Sequence, residues 1–123
     1  MNEASAQLNN YRQSPRKVRL MADAIRGKKV SKAKDVLAFT IKRSASPFAK
    51  LLDSAIANAK SKGISLDNLV VKSVEVNQGD ILYRSMPVSH GSAHPIRKRT
   101  SHIKIVLEES KKEAKKETKK EKK

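Results

Sequence analysis

The sequence predicts an α+β fold: three helices packed on a small three-stranded antiparallel sheet, with a long protruding β-hairpin. Three observations lead there. Apolar residues recur at helical spacing through the first half of the 123-residue chain, and β-branched runs dominate two segments of the second half. Between those two runs lies a long stretch too polar to bury itself. One small domain is expected at this length, with a modest core, because the 37% of apolar residues include almost no large aromatics.

The first helix is bounded by its own punctuation. Ser14 followed by Pro15 is an N-cap with proline at the first helical position, and Gly27 closes the segment SPRKVRLMADAIRG, so a helix from Pro15 to Arg26 is predicted. Val18, Met21, Ala22 and Ile25 fall on one face, while Arg16, Arg19, Asp23 and Arg26 share the other. A short helix follows from Ser31 to about Phe39, with Ala33, Val36 and Leu37 inward.

The third helix has the most regular spacing, with Phe48, Leu51, Leu52, Ala55, Ile56 and Ala59 at i, i+3, i+4, i+7, i+8 and i+11. Ile41 and Ala45 continue that face upstream. Pro47 therefore either starts the helix behind an N-cap at Ser46 or kinks a longer one, and the longer helix, ending near Gly63, is the expectation. The small residues of SAIANA admit another element close to the backbone, and Lys60 and Lys62 suit the negative end of the helix dipole. Phe39 and Phe48 are both expected in the core.

LVVKSVEV, Leu69 to Val76, reads as a strand and HIKIVL, His102 to Leu107, as its partner, with AQLNNY near the N-terminus as the candidate third strand. The two dozen residues between the strands are too many for a structureless loop in a compact domain. Pairing the arms about Ser89, His90, Gly91 and Ser92 sets Ile81, Tyr83 and Ser85 against Ile96, Lys98 and Thr100, one hairpin reaching on the order of 40 Å at roughly 3.3 Å per residue. Such a ribbon takes its order from whatever surrounds it. Its bland alternative is a flexible loop with scattered charges, which the regular alternation of Ile, Tyr and Arg disfavours. KKEAKKETKKEKK from Lys111 cannot bury a core and reads as a disordered or weakly helical tail, either solubilising or loosely phosphate-binding.

Charge selects the partner. Lys and Arg outnumber Asp and Glu 28 to 12, and the net +16 would repel itself in a compact state without a polyanion. Nucleic acid supplies phosphates densely enough for cations spread along a whole chain. Arg97, Lys98, Arg99 and Lys104 line one arm of the connection, with Arg84 across from them. Arg16, Lys17 and Arg19 crowd the first turns of a helix, where the dipole disfavours cations by a few tenths of a kcal/mol unless an anion is adjacent; solvent screening is the plainer account. Four Phe and Tyr residues leave little for aromatic stacking, so backbone charge and shape should dominate, with Tyr11 and Tyr83 as further contacts.

Other chemistry finds little purchase. There is no cysteine, no signal peptide and no membrane-spanning run, which points to a cytoplasmic protein without a membrane partner. His90 and His94 have zinc-helix spacing, but GSA between them breaks a helix, so no metal is expected. His102 beside Ser101 lacks an orienting acid, and no glycine loop for nucleotides appears; neither a cofactor nor an enzyme is expected.

The blocks SPRKVRLMADAIRGKKV, SAIANA, NLVVKSVEVNQG and RKRTSHI, in this order and spacing, resemble the bacterial large-subunit ribosomal protein twenty-two family over about residues 8 to 107. The resemblance implies a domain spanning 1–108 near the exit of the nascent-chain tunnel, with an extended hairpin at about 78–103 threading through ribosomal RNA, and a separate basic tail, 109–123. It implies a role in early assembly and a hairpin tip lining the tunnel where macrolides act. Its partners would be large-subunit ribosomal RNA, neighbouring ribosomal proteins and the nascent polypeptide. By position, Arg12, Arg16, Lys17, Arg19, Arg84, Arg97, Lys98 and Arg99 would bind RNA phosphates, and Met86, Pro87, Val88, Ser89, His90, Gly91, Ser92, Ala93 and His94 would form the tip. This tip departs from the basic one common in the family, which makes a less positive tunnel wall the expectation, with His90 or His94 on RNA. The competing readings are a free-standing nucleic-acid-binding or RNA-chaperone module and a ribonuclease built on His90 and His102.

Overall fold

A computed structural model describes residues 3–110. The strand β1 (Glu3–Tyr11) leads into the helices α1 (Pro15–Ile25), α2 (Val30–Phe39) and α3 (Ala45–Ser61), and a single 3-10 turn then precedes β2 (Leu69–Gln78). The hairpin strands β3 (Leu82–Pro87) and β4 (Ala93–Lys98) follow, and β5 (Ser101–Glu109) returns between β1 and β2. The sheet order β1-β5-β2 is antiparallel throughout, and β3-β4 is a separate two-stranded sheet. The α+β arrangement with a hairpin outside the main sheet is the one the sequence predicts. Lys111 and the tail beyond it lie outside the described residues.

The core is built where periodicity places it. Val18, Met21, Ala22 and Ile25 of α1 are buried, as are Phe48, Leu51, Leu52, Ala55 and Ala59 of α3, and each fully buried large side chain contributes about 1.5–3 kcal/mol. These faces meet the inward residues of the sheet, Ala4 and Ala6 on β1, Val71, Val74 and Val76 on β2, and Ile103, Ile105 and Leu107 on β5. The helix α3 lies mainly over β1 and β5, α1 lies over β2, and α2 packs outside against α3.

Both outer edges of the sheet are met by donors from the helices. On β1, Lys62 Nζ donates to the Glu3 carbonyl at 3.0 Å and Asn58 Nδ2 to the Ser5 carbonyl at 2.7 Å. On β2, Arg19 Nη2 donates to the Val76 carbonyl at 3.2 Å and Arg26 Nη2 to the Val74 carbonyl at 2.8 Å. The turn after α1 completes that side, with the Gly27 N–H on the Val71 carbonyl and the Val71 N–H on the Lys28 carbonyl. Carbonyls that would otherwise face solvent are thereby bonded.

Two bulges set the sheet's phase. One extra residue in β1 between Leu8 and Tyr11 leaves Asn10 at φ 58, a region asparagine tolerates, and its N–H donates to His102 Nδ1 at 3.2 Å. The other, in β2 between Val71 and Ser73, inserts Lys72, whose ammonium pairs with Glu3 and reaches Glu108 at 3.8 Å across the open sheet face. The hydrogen bond and charge of Lys72 hold the Glu3 carboxyl below its ordinary value, and Glu3 in turn raises Lys72.

Four expectations are corrected. The third helix does not extend upstream to Ile41: it starts at Ala45 behind Ser44, and Ser46 is not its cap. Pro47 is then the third helical residue, where its missing N–H has no intrahelical partner to lose. Ile41 is 98% exposed instead of continuing the inner face. Phe48 is buried as expected but Phe39 is 86% exposed, because it sits two residues, about 200° of helical turn, from the buried Leu37. The hairpin register differs by one residue from that expected: Tyr83 faces Arg97, Arg84 faces Ile96 and Ser85 faces Pro95. The reason is an odd loop, since the Val88 N–H bonds to the Ser92 carbonyl around the three residues Ser89–Gly91, with His90 and Gly91 both left-handed at φ 62 and 74.

Gly79, at the foot of the hairpin, is a site of close approach. Its N–H donates to the Thr100 carbonyl at 2.9 Å, and a Cβ there would stand 2.5 Å from Thr100 Oγ1 and 3.2 Å from the His102 ring. Gly79→Ala is expected to destabilise the chain by about 1–3 kcal/mol in denaturant unfolding, and the double change with Thr100→Ala should cost less than the sum of the two single changes. The Glu3 pairing has a pH signature. Because its folded pKa is depressed, its stabilisation is present above the unfolded carboxylate value and is lost as pH falls through the folded one, so Glu3→Gln should flatten that acid limb of Tm against pH.

Candidate nucleic-acid interface

The hairpin has no core. Every residue of β4 is exposed, and on β3 only Leu82 is half-buried. Residues 81–99 contain no acid and carry Arg84, Arg97, Lys98 and Arg99. Directly opposed residues share a face of an antiparallel ribbon and neighbours alternate. The pairs Leu82–Lys98 and Arg84–Ile96 therefore lie on one side, with Met86 and His94, while Tyr83–Arg97 lies on the other with Ser85 and Pro95. Cations thus emerge from both faces, a distribution that suits a ribbon enclosed by phosphate rather than one laid on a surface.

The start of α1 adjoins the foot of this ribbon. Tyr11 pairs with Ser101, and Ser101 Oγ, fully buried, donates to the Gln13 carbonyl at 2.6 Å. Thr100 Oγ1 donates to the Asp80 carbonyl at 2.5 Å, and Gly79 closes on Thr100 from the other arm. These ties bring the segment carrying Arg12, Arg16 and Lys17 to the end of the sheet from which Arg97, Lys98 and Arg99 project. The first turn of α1 contains no acid, and Ser14 stands at the N-cap without a side-chain cap bond. Arg12, Arg16 and Lys17 are exposed there.

The remaining predicted residues divide. Arg19 has a structural duty, since one guanidinium nitrogen is spent on the Val76 carbonyl. Arg84 Nη1 folds back on the Tyr83 carbonyl at 2.8 Å. Lys104 is not gathered with the others: it lies on the open sheet face between Gln7 and Glu75, a face that also bears Glu3, Lys72 and Glu108 and is mixed in sign. His90 and His94 are both exposed, His90 at the apex. Among the described residues no group of three or more His, Asp or Glu could hold a metal ion, and no helix is long and apolar enough to cross a membrane.

The sequence reading passed over the connection between α2 and α3, where exposed Phe39 and Ile41 are followed by exposed Lys42 and Arg43. The signal was available in the angular offset of Phe39 from Ala33 and Leu37, which turns it away from the helix's inner stripe.

Comparison with known proteins bears on this interface. The sequence model of the family described as ribosomal protein L22p/L17e matches residues 6–108. The chain is 48% identical over 108 residues to the large ribosomal subunit protein uL22 of Syntrophotalea carbinolica, covering 87% of this chain and 98% of that protein. It is 51% identical over 110 residues to uL22 of Mesoplasma florum, with 89% and 98% covered, and 47% identical over 113 residues to uL22 of Myxococcus xanthus, with 89% and 99% covered.

The two kinds of arginine should separate in experiment. Arg16→Ala with Lys17→Ala is expected to lower the logarithmic salt slope of RNA binding by about 1.4–1.8, at ~0.7–0.9 per phosphate, with Tm unchanged. Arg19→Ala should instead lower Tm, because it leaves the Val76 carbonyl without its side-chain donor.

Proposed function

The chain belongs to the ribosomal protein L22p/L17e family, and from that premise we propose how it serves as a structural constituent of the large ribosomal subunit in the cytoplasm. It binds large-subunit ribosomal RNA through phosphate contacts, supports early assembly, and lines the polypeptide exit tunnel with its hairpin, the helical domain sitting near the tunnel exit. Its role is structural rather than enzymatic. Neighbouring ribosomal proteins and, along the tunnel, the nascent polypeptide are its other partners.

The observation that carries this reading is the hairpin: two six-residue strands, paired only with each other, acid-free, with cations on both faces and no apolar layer beneath them. A two-stranded ribbon is marginal in water, so a fixed position requires surrounding mass, and phosphate is the surrounding that four cations match. Arg12, Arg16 and Lys17 extend the same contact onto the helical domain. The helical domain and hairpin, 1–108, act as one unit, with 109–123 as an appended basic segment.

The tip works differently from the arms. Met86 to His94 carries no lysine or arginine, so this part of the tunnel wall is less positive than a basic tip would make it, and His90, held outward at the apex by its left-handed backbone, or His94 stacks on or hydrogen-bonds to RNA.

Sedimentation tests the whole reading: the tagged full-length chain should travel with the large subunit, whereas recovery only in free ribonucleoprotein would favour a free-standing RNA chaperone. Arg97→Ala, Lys98→Ala and Arg99→Ala together should weaken binding to large-subunit RNA and reduce the salt slope by about 2–3. Deleting Met86 to His94 should leave incorporation largely intact while changing tunnel geometry, and complete loss of incorporation would place the binding energy at the tip instead.

A further inference from the structure

Phe39 ends α2 and is 86% exposed, and Ile41, two residues on, is 98% exposed. The backbone between them is pinned: the Thr40 N–H and its hydroxyl both donate to the Val36 carbonyl, at 3.1 and 2.5 Å. The far end of the connection is held as well, by the Ala45 N–H on the Lys42 carbonyl at 3.1 Å and by burial of Ser44 and Ala45. Phe39 is therefore presented on a secured element.

Its exposure has a cost that needs an explanation. The chain has two phenylalanines, and leaving one in water forgoes its burial in a core short of large side chains. The surroundings indicate what covers it. Lys42 and Arg43 follow directly, and the acids that bound the segment are Asp35, one turn earlier on the same face of α2, and Asp53, which pairs with Lys34 at 3.4 Å. An aromatic plane beside two cations on an acid-free segment matches a nucleotide, whose base offers a π-face and whose flanking phosphates offer charge. Phenylalanine and arginine suit a protein interface as well, but lysine is depleted at the centre of one, so Lys42 and the uncompensated positive charge of the segment, rather than the ring, favour the nucleotide.

We propose that Phe39 is a stacking platform for an unpaired base of the large-subunit ribosomal RNA, with Lys42 and Arg43 on the adjacent phosphates. The inference rests on the reading that this chain binds that RNA and adds to it a base contact remote in sequence from the hairpin. Stacking is worth about 1–3 kcal/mol per base on alanine substitution. It carries no counterion release, so its loss leaves salt dependence alone.

Binding of the full-length chain to transcribed large-subunit RNA, measured across a salt series, tests it. Phe39→Ala should lose about 5- to 150-fold in affinity with an unchanged salt slope, Phe39→Trp should retain affinity, and Phe39→Leu should fall like alanine. Lys42→Ala with Arg43→Ala should lower the slope by about 1.4–1.8. In assembled subunits, a photoreactive benzophenone side chain at position 39 should crosslink to RNA. Full affinity in the alanine or leucine variant, or a crosslink to protein or to nothing, overturns the proposal while RNA binding by the unsubstituted chain stands. Weak, salt-insensitive binding by the unsubstituted chain would overturn both readings together.

Discussion

The structure depends on one strand being held on both sides. Strand β5 lies between β1 and β2, and its Ile103, Ile105 and Leu107 are fully buried beneath the helices. Its alternation decides which face of the sheet is apolar, and thereby where α1 and α3 can pack. Its first residue, Ser101, joins the α1 loop to the hairpin, so the placement of the cationic elements is inherited from the packing of this strand.

Cations in this molecule do two kinds of work. Arg19, Arg26 and Lys62 turn inward to backbone carbonyls at the sheet edges, where they close the fold. Arg12, Arg16, Lys17 and the hairpin residues turn outward from acid-free segments. The acids Glu3, Glu75 and Glu108 collect on the open face of the main sheet, beside Lys72 and Lys104, so the charge is segregated rather than uniform. That segregation lets a chain of net +16 keep a folded domain while one end of it remains strongly cationic.

Much of this was legible in the residues. The inward stripes of α1 and α3 and the pairing of β2 with β5 follow from spacing and β-branching, because each depends on local period, whereas the third strand, which has no β-branched residue, was a candidate only because two strands alone are marginal. What was not legible depends on contacts distant in sequence or on a single added residue. Nothing in LVVKSVEV announces that Lys72 is an insertion shifting the inward set from Val71 to Val74, and nothing around His90 distinguishes a three-residue turn from a four-residue one. Of the candidate interface, the cations could be read individually. Their gathering could not, since the tie between Ser101 and Gln13 spans 88 residues.

The contrast between the two sheets bears on the life of the molecule before assembly. The main sheet offers its neighbours carbonyls already occupied by Arg19, Arg26, Asn58 and Lys62, whereas the hairpin leaves the outer backbone of both its strands open. An unassembled pool is therefore open to strand-to-strand aggregation along the hairpin. Pro87 and Pro95 each delete a donor from that outer row, and the like charges of Arg84, Arg97 and Lys98 push ribbons apart. The residues that ready the ribbon for its polyanion also keep newly made copies from sticking to one another.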